Sequence, residues 1–338
     1  MDFIKIIKTS RFLDPARDFT ETQRFSEVRV DPLTGHTSRV LDFPVKEIGR
    51  ENLSGLVEDS RACCPFCPEV VGQVTPKFHP DLLRQERYAR GEALCVPNAF
   101  PYDENGAVCI MSSQHYLALK DFSADILEDA FQCCFAYLKD VVLTQPDMVY
   151  QSVNWNYMPL AGGSLVHPHL QITASSSSTN YYTDMVPALE QYEREHGRGF
   201  WSDLRDEECR TGERCIAATD DITWLAAFAP MGVFDVLGVL HRAHGPADVQ
   251  GGLLHEVVRG ILRVLGYIDS LHMHSLNMSL YFLLDNSRFV PHLRICPRVS
   301  IPPFGTSQIN YMKMLHNETL TTLKPEEVCS DLKAVWHE

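Results

Sequence analysis

The sequence has no apolar run approaching the roughly 20 residues that a membrane-spanning helix needs, although apolar residues make up 45% of its 338 positions. Its N-terminus, MDFIKIIKTSRFLDPARDF, holds only a short apolar patch interrupted by Lys5 and Lys8, and no secretory signal follows. A membrane role is therefore not expected, and a cytoplasmic location is. Positive charge is scarce as well: 30 Lys and Arg stand against 44 Asp and Glu, a net charge of −14. That balance argues against a nucleic-acid partner, because phosphate backbones call for a basic surface. It leaves room for a small anionic substrate, which a few local donors can hold. A disulfide framework is missing too. The eleven cysteines are odd in number and scattered, as expected of free thiols in a reducing compartment.

What is present is an internal repeat. One segment runs from NAFPYDENGAVCIMSSQH (98–115) through a helical pattern to YQSVNWN (150–156) and VHPHLQI (166–172). A second runs from LAAFAPMGVFDVLGVLHRAH (225–244) through another to HSLNMSLYF (274–282) and FVPHLRICPR (289–298). In each, AF-P opens an apolar strand ending in a histidine, His115 or His244. Ser-x-Asn follows, as Ser152/Asn154 or Ser275/Asn277, and a histidine strand closes the unit at His167 or His292. Four coincidences in one order mark a duplication. Between them, Leu127, Ala130, Phe131, Cys134, Leu138 and Val141 follow helical spacing with Ser123 as N-cap, and Leu254, Val257, Val258, Ile261, Leu265 and Ile268 do the same. The expected fold is α+β, with two tandem units at 1–180 and 181–338, each an antiparallel sheet with a packed helix. The serine run 175–179 reads as a mobile loop, and the charged stretch 193–214 as a connection.

The chemistry concentrates at AGGSLVHPHLQITAS (161–175). Side chains alternate along a strand, so His167, His169 and Gln171 share one face, opposite Val166, Pro168, Leu170 and Ile172. Three polar groups in a row make a poor core and a good site. A positioned neutral histidine is a competent nucleophile or base. Imidazole attacks phosphorus well and leaves well from a phosphoramidate, which suits two-step nucleotidyl transfer. Gly162, Gly163 and Ser164 offer backbone N–H groups and a hydroxyl to phosphate oxygens, and Gln171 can donate to a phosphoryl group. Upstream, Cys64-Pro65-Phe66-Cys67 is a possible zinc half-site; such a pair can equally be redox-active or incidental. His115 and His167 are the candidates to complete four ligands. The alternative is that both His167 and His169 bind metal and nothing here is catalytic.

These residues resemble the galactose-1-phosphate uridylyltransferase branch of the histidine triad superfamily, whose hallmarks are a His-Pro-His-x-Gln strand, an upstream Cys-x-x-Cys zinc knuckle and a duplicated domain. The match extends from about Cys64 to the C-terminus. The resemblance implies that Cys64, Cys67, His115 and His167 bind a structural Zn²⁺ and that His169 is the nucleophile. It implies that Gln171 binds the transferred phosphoryl, that Ser164 and Asn156 touch substrate phosphates, and that Asn98 lines the nucleotide pocket. Substrates would be a nucleotide sugar and a sugar 1-phosphate, and the protein a homodimer. Two departures stand out. Leu170 occupies a position that is commonly glycine in members acting on hexose phosphates, and is more like the dinucleotide phosphorylase relatives. Only His292 matches the histidines that hold a second metal in some members, with Tyr281 and Arg294 at the other positions, so no second metal is expected. Arg298 is a candidate phosphate clamp by its charge, or a structural salt bridge. The expected activity is nucleotidyl exchange through a nucleotidyl-histidine. The rivals are a phosphorylase or adenylyltransferase acting on ADP-sugars or dinucleoside polyphosphates, and a non-catalytic zinc-containing nucleotide-binding protein.

Overall fold

Alternating apolar and polar residues on both sides of the two long helical patterns build one sheet rather than two. The computed structural model describes residues 1–42, 49–301 and 305–336. Its first three strands are β1 (Lys5–Asp14), β2 (Thr20–Val30) and β3 (Thr37–Leu41), followed by helices α1 (Ser54–Arg61) and α2 (Val71–Val74). The first unit comprises β4 (Tyr88–Arg90), β5 (Ala93–Pro97), β6 (Asn105–Ile110), α3 (Ala124–Thr144), β7 (Tyr150–Tyr157) and β8 (His169–Ser175). Helices α4 (Asn180–His196) and α5 (Phe200–Thr211) lead into the second unit. That unit is β9 (Cys215–Ala218), β10 (Ile222–Ala226), β11 (Val236–Leu240), α6 (Gly251–Ser270), β12 (Ser275–Leu283) and β13 (His292–Arg298). The short ribbon β14 (Ser300–Ile301) and β15 (Thr306–Ser307), α7 (Tyr311–His316), β16 (Thr319–Thr321) and α8 (Pro325–Val335) complete the described chain.

The main sheet has ten strands in the order β4-β5-β6-β8-β7-β12-β13-β11-β10-β9, antiparallel throughout. The order reads the same from either end as hairpin, closing strand, middle strand. The two copies meet head-on at β7 and β12, paired from Leu276 with Tyr157 to Leu283 with Tyr150. The α+β class and the repeat are therefore as the sequence indicates, with the two expected sheets fused into one.

One face of this sheet is the core. Val153, Trp155, Leu170, Ile172, Leu276, Met278, Leu293 and Ile295 pack on the buried sides of α3 and α6. Each such buried side chain contributes roughly 1.5–3 kcal/mol. Ser123 caps α3 by accepting from the Ile126 amide, as its position before the apolar pattern predicted.

Three sequence expectations need correction. The charged stretch 193–214 is not a bare connection: it falls largely within α4 and α5, whose Tyr182, Met185, Leu189, Tyr192, Phe200, Trp201 and Leu204 form a second core against Leu225, Leu237, Val239 and Phe289. The charges hid an apolar stripe at i, i+3, i+4 spacing. The serine run is anchored at its start, where Ser175 and Ser176 donate to the Glu104 carboxylate. Finally, β6 and β11 end at Ile110 and Leu240, so His115 and His244 lie in the turns beyond them. The first 42 residues pack on the second unit: β3 pairs in parallel with β16, and the buried Arg29 reaches Glu326.

Candidate active site and metal centre

The cluster begins with a tight turn after α1. Cys64 donates its amide to Arg61 O, and the Cys67 carbonyl accepts from the Val70 and Val71 amides, so both thiols point inward. His115 arrives from the turn after β6, and His167 from the residues just ahead of β8. All four are buried, and their ligand atoms lie within 4.8 Å of one another. Cys64 Sγ is 3.5 Å from His167 Nδ1, and Cys67 Sγ is 3.4 Å from His115 Nδ1. Those are the edge lengths of a tetrahedron with metal–S near 2.3 Å and metal–N near 2.0 Å.

The outer ring nitrogens fix the tautomers. His167 Nε2 lies 2.8 Å from Ser112 O; a carbonyl only accepts, so Nε2 carries the proton and the Nδ1 lone pair faces the thiols. His115 Nε2 is 3.0 Å from Ser60 Oγ, whose own proton goes to Val57 O. Burial holds both imidazoles below their ordinary range, which keeps them neutral, the ligating form. Burial and the neighbouring Cys64 push the Cys67 thiol up to about 11. A divalent cation taking both thiolates would reverse that cost. The donor set fits a resident metal.

His169 is not part of this cluster. Its Nδ1 donates to His167 O at 2.8 Å, so Nε2 keeps its lone pair and, among the described residues, has no hydrogen-bond partner. The ring is 5% exposed and meets the edge of Phe66, the third residue of the knuckle, at 5.4 Å between centroids. Burial depresses its basicity. One link thus runs from metal cluster to His167 carbonyl to His169 proton.

The rest of the open sheet face is a polar row. Gln171 pairs with Asn154 across β8 and β7, and its Oε1 accepts from Asn156 Nδ2 at 3.4 Å. Asn277 donates to Asn156 Oδ1 at 2.7 Å, Ser279 donates to Asn154 Oδ1 at 2.7 Å, and Arg298 donates to Asn277 Oδ1 at 3.2 Å. Asn156 and Asn277, paired across the junction of β7 and β12, therefore form the seam that joins Gln171 to Arg298. Ser164 is exposed after a sharp turn in which Gly162 takes φ +86°, and a Cβ on Gly163 would sit 2.7 Å from Asn156 O. Asn98 is half-buried where β5 runs into its hairpin with β6, accepting from the Phe100 amide. Gly106 opposite it carries no side chain on this face.

Sequence reasoning missed Phe66, Ser60 and the Ser112 carbonyl. The first sat inside the Cys-x-x-Cys motif and could have been found by asking what fills it; the other two carry no pattern. His292 is sealed in the second core, bonded to Tyr181 Oη at 2.6 Å and Val290 O at 2.8 Å. Burial drives its basicity down to about 3.

This arrangement defines a sheet protein with a buried Cys₂His₂ cluster supporting a His-Pro-His-x-Gln strand. The chain is 28% identical over the whole of both chains to an uncharacterized protein of Archaeoglobus fulgidus, and no family model matches it. Its fold is shared with a GalT-like protein of Arabidopsis thaliana (14% identity, TM-score 0.69, covering 90% of this chain and 98% of that one). An ADP-glucose phosphorylase of the same plant gives TM-score 0.69 at 14% identity, over 91% and 98% of the two chains. A uridylyltransferase gives 0.66 at 16%, over 92% and 98%. The chain thus shares the fold of these GalT-like proteins, as the resemblance implied.

Proposed function

We propose that the protein is a nucleotidyltransferase that exchanges a nucleoside monophosphate between a nucleoside-diphosphate sugar and a sugar 1-phosphate. The observation that carries this is the His169 ring: it stays outside the metal cluster, its Nδ1 proton is committed to His167 O, and its Nε2 lone pair is unclaimed. Nε2 attacks the α-phosphorus in line, a P–N bond forms, and the bond to the bridging oxygen breaks, releasing sugar 1-phosphate. A second sugar 1-phosphate then displaces the histidine and carries the nucleotide away. The ring leaves neutral, with its Nδ1 proton in place throughout. Gln171, whose Oε1 is occupied by Asn156, presents its NH₂ to the phosphoryl oxygens as negative charge builds. In this reading Ser164 and Asn156 touch the substrate phosphates, Asn98 lines the nucleotide pocket and Arg298, bonded to Asn277, is the candidate phosphate clamp.

Cys64, Cys67, His115 and His167 would hold Zn²⁺. Four protein ligands leave no open position, so the ion supplies structure and orientation rather than Lewis acidity. The reading includes a homodimer. The β1–β2 hairpin supports it: beyond the residues of β2 that pair with β3 it is only two strands wide, which is marginal in water, and β1 is exposed almost throughout, displaying Ile6, Ile7, Phe12 and Leu13. Among the described residues no helix is long and apolar enough to cross a membrane, which agrees with the proposed cytoplasmic setting.

The test is intact mass after incubation with UDP-glucose or ADP-glucose. A UMP adduct supports uridylyl transfer. An AMP adduct supports instead an adenylyl transfer in which phosphate can be the acceptor. Either adduct should vanish in His169→Ala while the circular dichroism spectrum is retained. Wild-type turnover in that variant, or binding without any adduct, overturns the proposal.

A further inference from the structure

The second unit carries a cavity of which the chemistry above uses only one wall, Arg298 and its partner Asn277. The repeat aligns it with the catalytic face: Gln171 lies opposite the asparagine of the first Ser-x-Asn, Asn154, and Cys296 opposite that of the second, Asn277. Cys296 thus stands where Gln171 does, and Arg294 where His169 does. Around them is a cavity of about 240 Å³, lined among others by Arg294, Arg298, Lys313, Asn277, Gln308 and Tyr281. Among the described residues no Asp or Glu lines it. From behind, the buried Asp235 takes Arg294 Nη1 at 2.6 Å. The Nε groups of Arg294 and Arg298 are buried without a partner. Lys313 Nζ donates to Thr319 Oγ1 at 3.1 Å, and burial holds its ammonium below the ordinary range.

Three cations against one paired carboxylate, partly withdrawn from water, are costly unless an anion joins them. The rest of the chain is strongly acidic, so a general basic surface does not explain them. Guanidinium forks match tetrahedral oxyanions, and the volume exceeds what a single phosphate fills. We propose that this cavity is a binding site for a phosphate-type oxyanion, separate from the phosphorus that His169 attacks. Three interstrand spacings of about 4.8 Å separate β8 from β13, placing the cavity on the order of 14 Å from Gln171. An anion here therefore sits either at the far end of the group joined to the transferred nucleotide, a role that rests on the proposed function, or free as inorganic phosphate.

Calorimetric titration of inorganic phosphate into the full-length protein tests the site. Saturable binding is expected in wild type and in His169→Ala, weakened at least tenfold in Lys313→Met and restored in Lys313→Arg. No saturable binding, or equal binding in Lys313→Met, overturns it. The source is read from KM for nucleotide sugars with a neutral or a carboxylate-bearing C6. A KM at least tenfold lower for the acid, lost in Lys313→Met, assigns the anion to the substrate. Equal values alongside Lys313-dependent phosphate binding assign it to the free ion. If no sugar yields an adduct while phosphate binding keeps its Lys313 dependence, the transferase reading falls and the anion site stands.

Discussion

His167, just ahead of β8, and His169, its first residue, are two positions apart and differ in which nitrogen each commits. His167 gives its Nε2 proton to Ser112 O and turns its lone pair to the thiols; His169 gives its Nδ1 proton to His167 O, leaving its Nε2 lone pair for the attack proposed above. The supporting contacts are individually testable. Ser60→Ala removes the acceptor for His115 Nε2–H, and losing such a partner typically costs about 10–100-fold in metal affinity. The metal proposed for this cluster should therefore pass to a competing chelator at lower chelator concentration, with the fold kept. Cys67→Ser should abolish zinc binding, read by metal analysis, and lower the thermal midpoint, because the remaining buried ligands lose the ion that gathers them. The Cys-x-x-Cys pair and the His-Pro-His strand were legible because both impose spacings on the sequence, while the proposed roles of the four ligands and of His169 came from the resemblance. The Ser112 carbonyl was not, since every residue has one.

At the scale of the element, α3 and α6 were readable from periodicity alone, whereas α4 and α5 were not. Their apolar residues face a small second core and are diluted by charges such as Glu193, Arg194, Asp206 and Glu207. The strand ends were misplaced for a related reason. His115 and His244 each close a short polar stretch after an apolar run and so read as strand ends, whereas both lie in the turns beyond, His115 in the one that meets Cys64 and Cys67. Helix α6 packs unusually close to the sheet at Gly260, where a Cβ would fall 2.0 Å from Trp224 Cζ2. Gly260→Ala should gain about 1 kcal/mol of helix propensity and lose more through overpacking, about 1–3 kcal/mol. The expected net result is a lower denaturant midpoint with unchanged metal content. A midpoint above wild type would show that the indole yields.

At the scale of the molecule, the duplication was visible, but the single sheet was not, because edge pairing of β7 with β12 leaves no local signal. Nor did the sequence show that the first strands belong with the last. There Arg29, fully buried, is held between Glu27 and Glu326 at 2.7–2.8 Å, and Arg214 joins at 3.1 Å. Burial alone would raise the Glu326 pKa, but Arg29 and Arg214 prevail and hold it at about 2, below its ordinary 4.5. A carboxyl depressed in the folded state contributes stability above its unfolded pKa and loses it as pH falls through the folded one. Wild type should accordingly lose stability between about pH 4.5 and 2, and Glu326→Gln should be less stable at neutral pH with a flatter acid limb. Chemical denaturation across that range checks both.

The pairing of β3 with β16 also dictates an order of events during synthesis. At translation rates of about 5–20 residues per second, the strand around residue 40 emerges roughly 15 seconds to a minute before its partner near residue 320 exists. Until then Arg29 lacks its Glu326 partner and β3 has no parallel neighbour. A nascent chain stalled short of β16 should hold its two-unit sheet and leave β3, without its parallel partner, more open to protease than in the complete chain.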